Sequence, residues 1–179
     1  MALLRSRGPD HDPAMVHDDI RVRRVCPTDA AELERFYADL SADSRATRFH
    51  GASRGIDPVQ AVRYAGADHV RRDGFVAVAE GRIAGHLVLE PIGNGVEELA
   101  VAVDDGMQHH GVGTLLLGAA IASARLRHVR QLVAWVMADN VAMRHLLAGG
   151  HYPMRIDWEG SVARYELAVP PDLPGSIAA

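Results

Sequence analysis

The sequence contains a single cysteine, Cys26, among 179 residues. One cysteine cannot form an internal disulfide, so the fold does not depend on a disulfide framework and a reducing compartment is expected. Free cysteines are among the most buried residue types, and Cys26 is therefore interpreted as a packed thiol beside an apolar strand. No cluster of cysteines and histidines has the spacing of a zinc site, so no metal is expected.

Long apolar runs and an excess of positive charge are also missing. The most apolar stretch, residues 112–124, is shorter than the ~20 residues of a membrane-spanning helix, and the first 15 residues do not resemble a secretion signal. The formal net charge is −4, from 19 Lys+Arg against 23 Asp+Glu, which gives no reason to expect nucleic acid or an anionic membrane as a partner. These features predict a soluble cytoplasmic protein.

The rest of the composition is that of a globular protein, with 48% hydrophobic and 23% charged residues. Residues 1–19 are polar and rich in Asp, His and Pro, which predicts a flexible arm, and residues 170–179 predict a tail. Between them, residues 20–169 show no internal repeat and no linker and are predicted to form one domain. Both a monomer and a homodimer are compatible with the sequence.

Apolar periodicity and turn signals predict six strands and four helices in this domain. Strands are predicted at residues 20–25, 75–79, 83–90, 97–103, 131–138 and 161–169. Helices are predicted at residues 29–40, 58–65, 111–128 and 140–148, and residues 41–55 are predicted to be a loop. In the third helix, one apolar stripe is expected at Leu115, Leu116, Ala119, Ala122 and Leu126. This order of elements predicts a mixed α/β (α+β) fold with an antiparallel meander.

A glycine-containing loop joins the strand at 97–103 to the helix that begins near Gly111. The N-terminus of a helix exposes unpaired backbone N–H groups and the positive end of the helix dipole, and both favour phosphate binding. Gly111 and Gly113 present no side chain that would block a pyrophosphate, and Thr114 adds a hydroxyl group. The chain contains neither G-x-x-x-x-G-K-[ST] nor G-x-G-x-x-G, which mark other phosphate-binding loops. A glycine pair also serves turns and close packing, so the loop alone does not identify a site.

The segment Gln108-x-x-Gly111-x-Gly113 resembles the Q/R-x-x-G-x-G/A signature of the GNAT (GCN5-related) N-acetyltransferases, at the same strand-to-helix turn. Downstream, Asp139-Asn140, Met143 and the glycine pair at 149–150 are similar to the family's second coenzyme A-binding segment. The resemblance covers residues 20–169. It implies a central, mostly antiparallel, twisted sheet of about six to seven strands flanked by about four helices. It also implies an acyl-CoA-dependent N-acyltransferase with acetyl-CoA as the cosubstrate and an amine as the acceptor.

The resemblance also implies a role for each site residue. The loop amides would hold the pyrophosphate, the strand edge would bind the pantetheine arm and polarise the thioester carbonyl, and Asn140 would hold the arm from the far side. A base is needed because the attacking amine must be neutral. In the family a glutamate at the start of the fourth strand often serves as this base. Glu97 and Glu98 both stand there, and only one can face the cleft because neighbouring strand residues face opposite sides. By register, the resemblance implies Glu98 as the catalytic residue. The implied cofactor-binding residues are Leu99, Val101, Val103, Gln108, His109, His110, Gly111, Val112, Gly113, Thr114 and Asn140.

The chain departs from the family pattern at Leu147, where many members carry a tyrosine that protonates the leaving thiolate. Tyr152 is off the motif and is interpreted as a packed aromatic residue, so no general acid is assigned. The thiolate is a good leaving group and is expected to leave without one.

A narrower resemblance concerns residues 41–49, SADSRATRF, which are similar to the S-x-x-S-R-Y-x-R-F segment of bacterial protein-lysine acetyltransferases, with Ala46 in place of the tyrosine. It implies that Arg45 and Arg48 line the acceptor side and that the acceptor is a protein lysine. A small-molecule amine stays open as the acceptor. A coenzyme A-binding sensor without turnover stays open as an alternative function.

Overall fold

The computed structural model describes residues 20–170. The predicted arm, residues 1–19, and the predicted tail apart from Pro170 lie outside the described residues. The described chain forms seven strands and five α-helices. In chain order these are β1 (Arg21–Arg24), α1 (Ala30–Asp39), α2 (Ala42–Phe49), α3 (Pro58–Ala65), β2 (Asp73–Ala79), β3 (Arg82–Gly93), β4 (Val96–Val103), α4 (Val112–Leu126), β5 (Gln131–Met137), α5 (Val141–Gly149), β6 (Met154–Glu159) and β7 (Val162–Ala168).

All seven strands belong to one sheet with the order β1-β2-β3-β4-β5-β7-β6. Every neighbouring pair is antiparallel except β4 and β5, which are parallel. Glu80 and Gly81 both have positive φ angles at the β2–β3 turn, as a tight two-residue hairpin requires. The prediction of a mixed fold with a mostly antiparallel sheet of six to seven strands is confirmed.

Two apolar cores cover the two faces of the sheet. On one face α4 packs through residues such as Leu116 against Leu99 of β4. On the other face α1 and α3 contribute Tyr37 and Tyr64, which are in the same core as Ala102 of β4. Since alternate residues of β4 enter opposite cores, the strand is covered on both faces, as its apolar sequence predicts.

The N-terminal half of α4 lies very close to β3 because position 85 is a glycine. A Cβ atom at Gly85 would come within 2.9 Å of Leu116 Cδ1 and of Val112 Cγ1. This close approach fixes the start of α4 beside the end of β4, which pairs with β3 at Gly85 and Val103. The glycine-containing loop between β4 and α4 is thereby held at the sheet.

Residues 42–49 were predicted to be part of a loop, but they form α2. The helix is capped by Ser41, whose Oγ accepts a hydrogen bond from the Ser44 N–H at 3.1 Å. None of its residues is fully buried, so it carries little apolar periodicity for a prediction to detect. The implied number of helices, about four, rises to five through this element.

β6 was not predicted from the sequence. β6 is an edge strand with alternating charged residues, and Ile156 and Trp158 on it are half exposed.

The apolar stripe predicted for α4 was partly wrong. Leu115 and Leu126 are 41% and 72% exposed. The buried residues are Val112, Leu116, Leu117, Ala120, Ile121, Ser123 and Ala124. A helix that is apolar on most of its surface does not reveal its inner face by periodicity. Among the described helices, none is long and apolar enough to cross a membrane.

Candidate active site

β4 and β5 pair over only three residues of each strand. The parallel register joins residues 96–98 to residues 131–133, and the described chain shows no pairing between these strands beyond Glu98. The other edge of β4 stays paired with β3 as far as Val103. The edge of β4 from Leu99 to Val103 therefore presents backbone hydrogen-bonding groups to an opening in the sheet.

A cavity of about 760 Å³ occupies this opening. It is bordered by the open edge of β4, by Trp135 of β5, by α2 and by the first turns of α4 and α5. Its volume is in the range of small-molecule and cofactor sites. Ten of the eleven predicted cofactor-binding residues line it, and His110 is the exception. The ten are Leu99, Val101, Val103, Gln108, His109, Gly111, Val112, Gly113, Thr114 and Asn140.

The loop before α4 turns sharply into the helix at Gly111. This residue is the N-cap, with φ 80° and ψ −2°, a left-handed conformation that glycine adopts at low cost. No side chain caps the helix, so the backbone N–H groups of its first turn remain available to a ligand in the cavity. Gly113 has a packing role as well, because a Cβ atom there would lie 3.3 Å from Leu146 Cδ2 of α5.

Gln108 lines the cavity, but its side chain is directed toward α2. Its Nε2 donates hydrogen bonds to Ser44 Oγ at 3.2 Å and to Asp105 Oδ1 at 3.5 Å. Asp105 in turn accepts from the Ser41 N–H at 2.7 Å. The glycine-containing loop is therefore tied to the N-terminus of α2, a connection that sequence analysis did not anticipate.

The two neighbouring glutamates of β4 have different surroundings. Glu98 lines the cavity and is partly exposed. Glu97 points to the opposite side, is 4% exposed, and accepts a hydrogen bond from Arg127 Nη2 at 2.8 Å, with a second contact from Arg127 Nη1. The alternation of the strand thus places one carboxylate in the cavity and the other in a buried ion pair.

At the far wall of the cavity, α5 begins at Asn140. The side-chain oxygen of Asn140 accepts a hydrogen bond from the Met143 N–H at 3.0 Å, which caps the helix. Asn140 lines the cavity, and its amide NH₂ group supplies further hydrogen-bond donors. Leu147 is 1% exposed inside the first core and does not line the cavity, and Tyr152 packs against Gly150.

The two arginines of α2 are placed differently. Arg45 donates to backbone carbonyls, through Nη1 to Ala38 at 2.9 Å and through Nε to Ser53 at 3.1 Å, and it holds the end of α1. Arg48 lines the cavity. Of the two arginines that the resemblance places at the acceptor side, Arg48 lines the cavity and Arg45 does not.

A buried aromatic cluster lies beneath Arg48. Tyr37 Oη is 3.0 Å from His86 Nδ1, and His86 is completely buried. Burial, reinforced by the nearby charge of Arg48, lowers the pKa of His86 to about 3. His86 is therefore neutral at physiological pH, and it is too weakly basic to accept a proton from an ammonium group.

Several further side chains of the cavity were not identified in the sequence. The side chains of α2 were not predicted because this segment was predicted to be a loop. The side chains of β5 and α5 were not predicted because an apolar run does not show which of its residues face a cavity. They include Asp43, Ser44, Thr47, His50, Trp135, His145 and Leu146. Within residues 20–170, no group of three or more His, Cys, Asp or Glu side chains is arranged to hold a metal ion.

Comparison with known protein families gives a match to the model of the Acetyltransferase (GNAT) family over residues 32–149. The matched segment includes the glycine-containing loop, the open strand edge and both of the helices that begin at the cavity.

Solved structures with the same fold are numerous. The GNAT domain of S. lividans PAT is 28% identical with a TM-score of 0.77, covering 83% of this chain and 90% of that one. An acetyltransferase of the GNAT family from Streptococcus pneumoniae is 22% identical with a TM-score of 0.69, covering 85% and 100%. A GNAT superfamily phosphinothricin acetyltransferase from Sinorhizobium meliloti, in complex with AcCoA, is 13% identical with a TM-score of 0.69, covering 84% and 89%.

Proposed function

Because the chain belongs to the GNAT acetyltransferase family, we propose that residues 20–169 form a catalytic domain that transfers an acetyl group from acetyl-CoA to a primary amine. One observation carries this proposal. The open edge of β4, the uncapped start of α4 and the Glu98 carboxylate all border one cavity. An acetyl-CoA molecule bound along the edge of β4 and at the start of α4 would have its thioester near the Glu98 carboxylate.

The proposed acetyl-CoA site consists of backbone groups more than of side chains. The free N–H groups at the start of α4 suit the pyrophosphate, and Gly111 leaves room for its approach. The open edge of β4 offers N–H and C=O groups to the amides of the pantetheine arm. A β4 N–H directed at the thioester oxygen would stabilise the negative charge that develops there during attack.

In the proposed reaction the neutral amine attacks the thioester carbon and forms the new C–N bond. Glu98 accepts the proton that the amine loses, directly or through a water molecule. The tetrahedral intermediate then collapses with cleavage of the C–S bond, and coenzyme A leaves as the thiolate. No general acid is assigned, since the side chain at the family's tyrosine position, Leu147, is in the core.

We favour a protein lysine as the acceptor. Residues 41–49 resemble a segment of bacterial protein-lysine acetyltransferases, and the chain is similar to the GNAT domain of S. lividans PAT. A small-molecule amine is the alternative, supported by the enclosing walls that α2 and α5 give the cavity. We propose the cytoplasm as the compartment, because a lone thiol stays reduced there.

The experiment is the release of free coenzyme A from acetyl-CoA, measured with and without protein lysates, polyamines and amino acids. Acceptor-dependent release is expected, and the most effective fraction identifies the acceptor class. Tight acetyl-CoA binding without release under any acceptor would favour the sensor function instead. The chain contains no lysine, so acetyl-lysine detected in these mixtures originates from the acceptor and not from the enzyme.

A further inference from the structure

Arg48 is a cation in an aromatic setting at the wall of the cavity. Its guanidinium carbon lies 5.0 Å from the ring centre of Phe49 and 5.9 Å from that of Tyr37. Among the described residues it donates to Tyr64 Oη at 3.4 Å, which is long, and the hydroxyl group of Tyr37 is also within its reach. Its Nε atom is buried and has no hydrogen-bond partner in the described chain. A guanidinium has five N–H donors, so most of this donor capacity is unused.

Within residues 20–170, no carboxylate lies within 4.0 Å of the Arg48 guanidinium. Arg127, whose side chain is also largely buried, is compensated by Glu97. His86, in the aromatic cluster beneath Arg48, is neutral at physiological pH and supplies no negative charge. A buried charge without a counter-ion is unfavourable, and an arriving anion relieves that cost.

Glu98 is displaced along β4 from the strand position that the aromatic cluster beneath Arg48 contacts. The aromatic cluster beneath Arg48 includes His86, which pairs with Ala102 in the register of β3 and β4. Ala102 is four residues from Glu98, a separation of roughly 13 Å along a strand. An acceptor that reaches both groups must therefore carry its amine and its anionic group several bonds apart.

We propose that Arg48 binds a carboxylate of the acceptor, so that the preferred substrate is an amine with a carboxylate several bonds from the reacting nitrogen. This inference rests on the proposed acetyl transfer and specifies its substrate class. The planar fork of a guanidinium matches a carboxylate in a bidentate arrangement. Two sources have this chemistry, a free ω-amino acid and a peptide lysine with an acidic neighbour.

The test compares matched acceptors that differ only in the carboxylate. The small-molecule pair is 6-aminohexanoate and 6-aminohexanamide, and the peptide pair has one lysine with either glutamate or glutamine two residues away. For each, kcat/KM is measured by coenzyme A release with wild type, Arg48→Gln and Arg48→Lys. The control is Arg54→Gln, an exposed arginine that does not line the cavity.

The wild type is expected to prefer the carboxylate member of at least one pair by about tenfold to a hundredfold, the usual worth of a charge-assisted hydrogen bond. Arg48→Gln is expected to abolish the preference, Arg48→Lys to retain part of it, and Arg54→Gln to keep it whole. The pair that shows the preference identifies the source. A preference that survives Arg48→Gln, or no preference in either pair, overturns the inference.

Two measurements separate this result from failure of the enzyme or of the fold. Thermal unfolding of each variant identifies loss of structure. Calorimetric titration of the same probes into coenzyme A-bound protein gives the carboxylate preference without turnover. Equal release with the two members of each pair refutes only the role of Arg48, whereas no release with any amine refutes the acetyl transfer itself.

Discussion

Asp105 Oδ1 accepts a hydrogen bond from the Ser44 hydroxyl at 2.6 Å, and this contact joins the loop before α4 to the first turn of α2. The Ser41 N–H and hydroxyl donate to the same carboxylate. Burial acts to raise the pKa of Asp105, but the hydrogen bonds from Ser44 and Ser41 outweigh it, and the pKa is lowered. The carboxylate is thus an ionised hydrogen-bond acceptor that holds the loop before α4 and the start of α2 in one arrangement.

Replacing Asp105 with asparagine is expected to weaken the binding of acetyl-CoA and of the acceptor together. The amide presents an NH₂ group where four donors now converge on the carboxylate, so hydrogen bonds worth about 1.5–3 kcal/mol each to a charged group are lost. We expect KM for acetyl-CoA and for the acceptor each to rise about tenfold, measured by initial rates. Asp39→Asn, at an exposed surface ion pair, is the control. A rise confined to one substrate would show that the two sides are not coupled through Asp105.

Glu98→Gln is expected to lower kcat by about 10²-fold or more, because a general base contributes that much to the rate. The measurement is the pH–rate profile with saturating acetyl-CoA, in which the limb due to the base should be lost. Identical profiles for variant and wild type would remove Glu98 from the role of base.

Glu97→Gln provides the matched control on the neighbouring position of the same strand. It removes one partner of the buried pair with Arg127 and is expected to reduce the free energy of unfolding by about 3 kcal/mol. At a temperature where the variant remains folded, its kcat should stay near that of the wild type. Chemical denaturation and steady-state kinetics together distinguish the two glutamates.

Gly111→Glu is expected to abolish acetyl-CoA binding, since a carboxylate would occupy the position proposed for the pyrophosphate. Isothermal titration calorimetry with acetyl-CoA measures this directly. Gly111→Ala is the control for backbone strain, because a φ of 80° costs a non-glycine residue about 1 kcal/mol without adding charge. Full affinity in a folded Gly111→Glu protein would contradict the assignment of the loop.

Leu147→Tyr introduces the tyrosine that many family members carry at this position, but we do not expect it to provide a general acid for the leaving thiolate. The position is 1% exposed within the first core, and a larger polar side chain there is expected to destabilise the fold by about 1–3 kcal/mol. Chemical denaturation measures that loss, and Leu147→Met serves as the volume-conserving control. An increase in kcat with an unchanged free energy of unfolding would show that the tyrosine reaches the cavity.

The sequence predicts well those features that depend on local chemistry. The N-cap at Asp57, the hairpin turn at Glu80-Gly81 and the helix start at Gly111 each depend on a few adjacent residues, and each is present. Strand alternation predicts that only one of Glu97 and Glu98 faces the cleft, the register of the family resemblance favours Glu98, and the structure places Glu98 at the cavity.

Features that depend on distant partners were not predictable. α2 is held by Asp105, which is more than sixty residues away, and its own residues show no buried stripe. The inner face of α4 is set by its contact with Gly85 of β3 rather than by its own pattern. That Arg48 has no carboxylate partner among residues 20–170 becomes evident only when the surroundings of its side chain are known.

The short junction between β4 and β5 has a consequence for the stability of the molecule. In the described chain, backbone pairing between the strands β1–β4 and the strands β5–β7 is limited to residues 96–98 and 131–133. Local opening at this seam should expose the amides of both strands to exchange with solvent. A ligand lying along β4 replaces the missing strand pairs, so occupancy should slow deuterium uptake at residues 99–103 and raise the melting temperature by mass action.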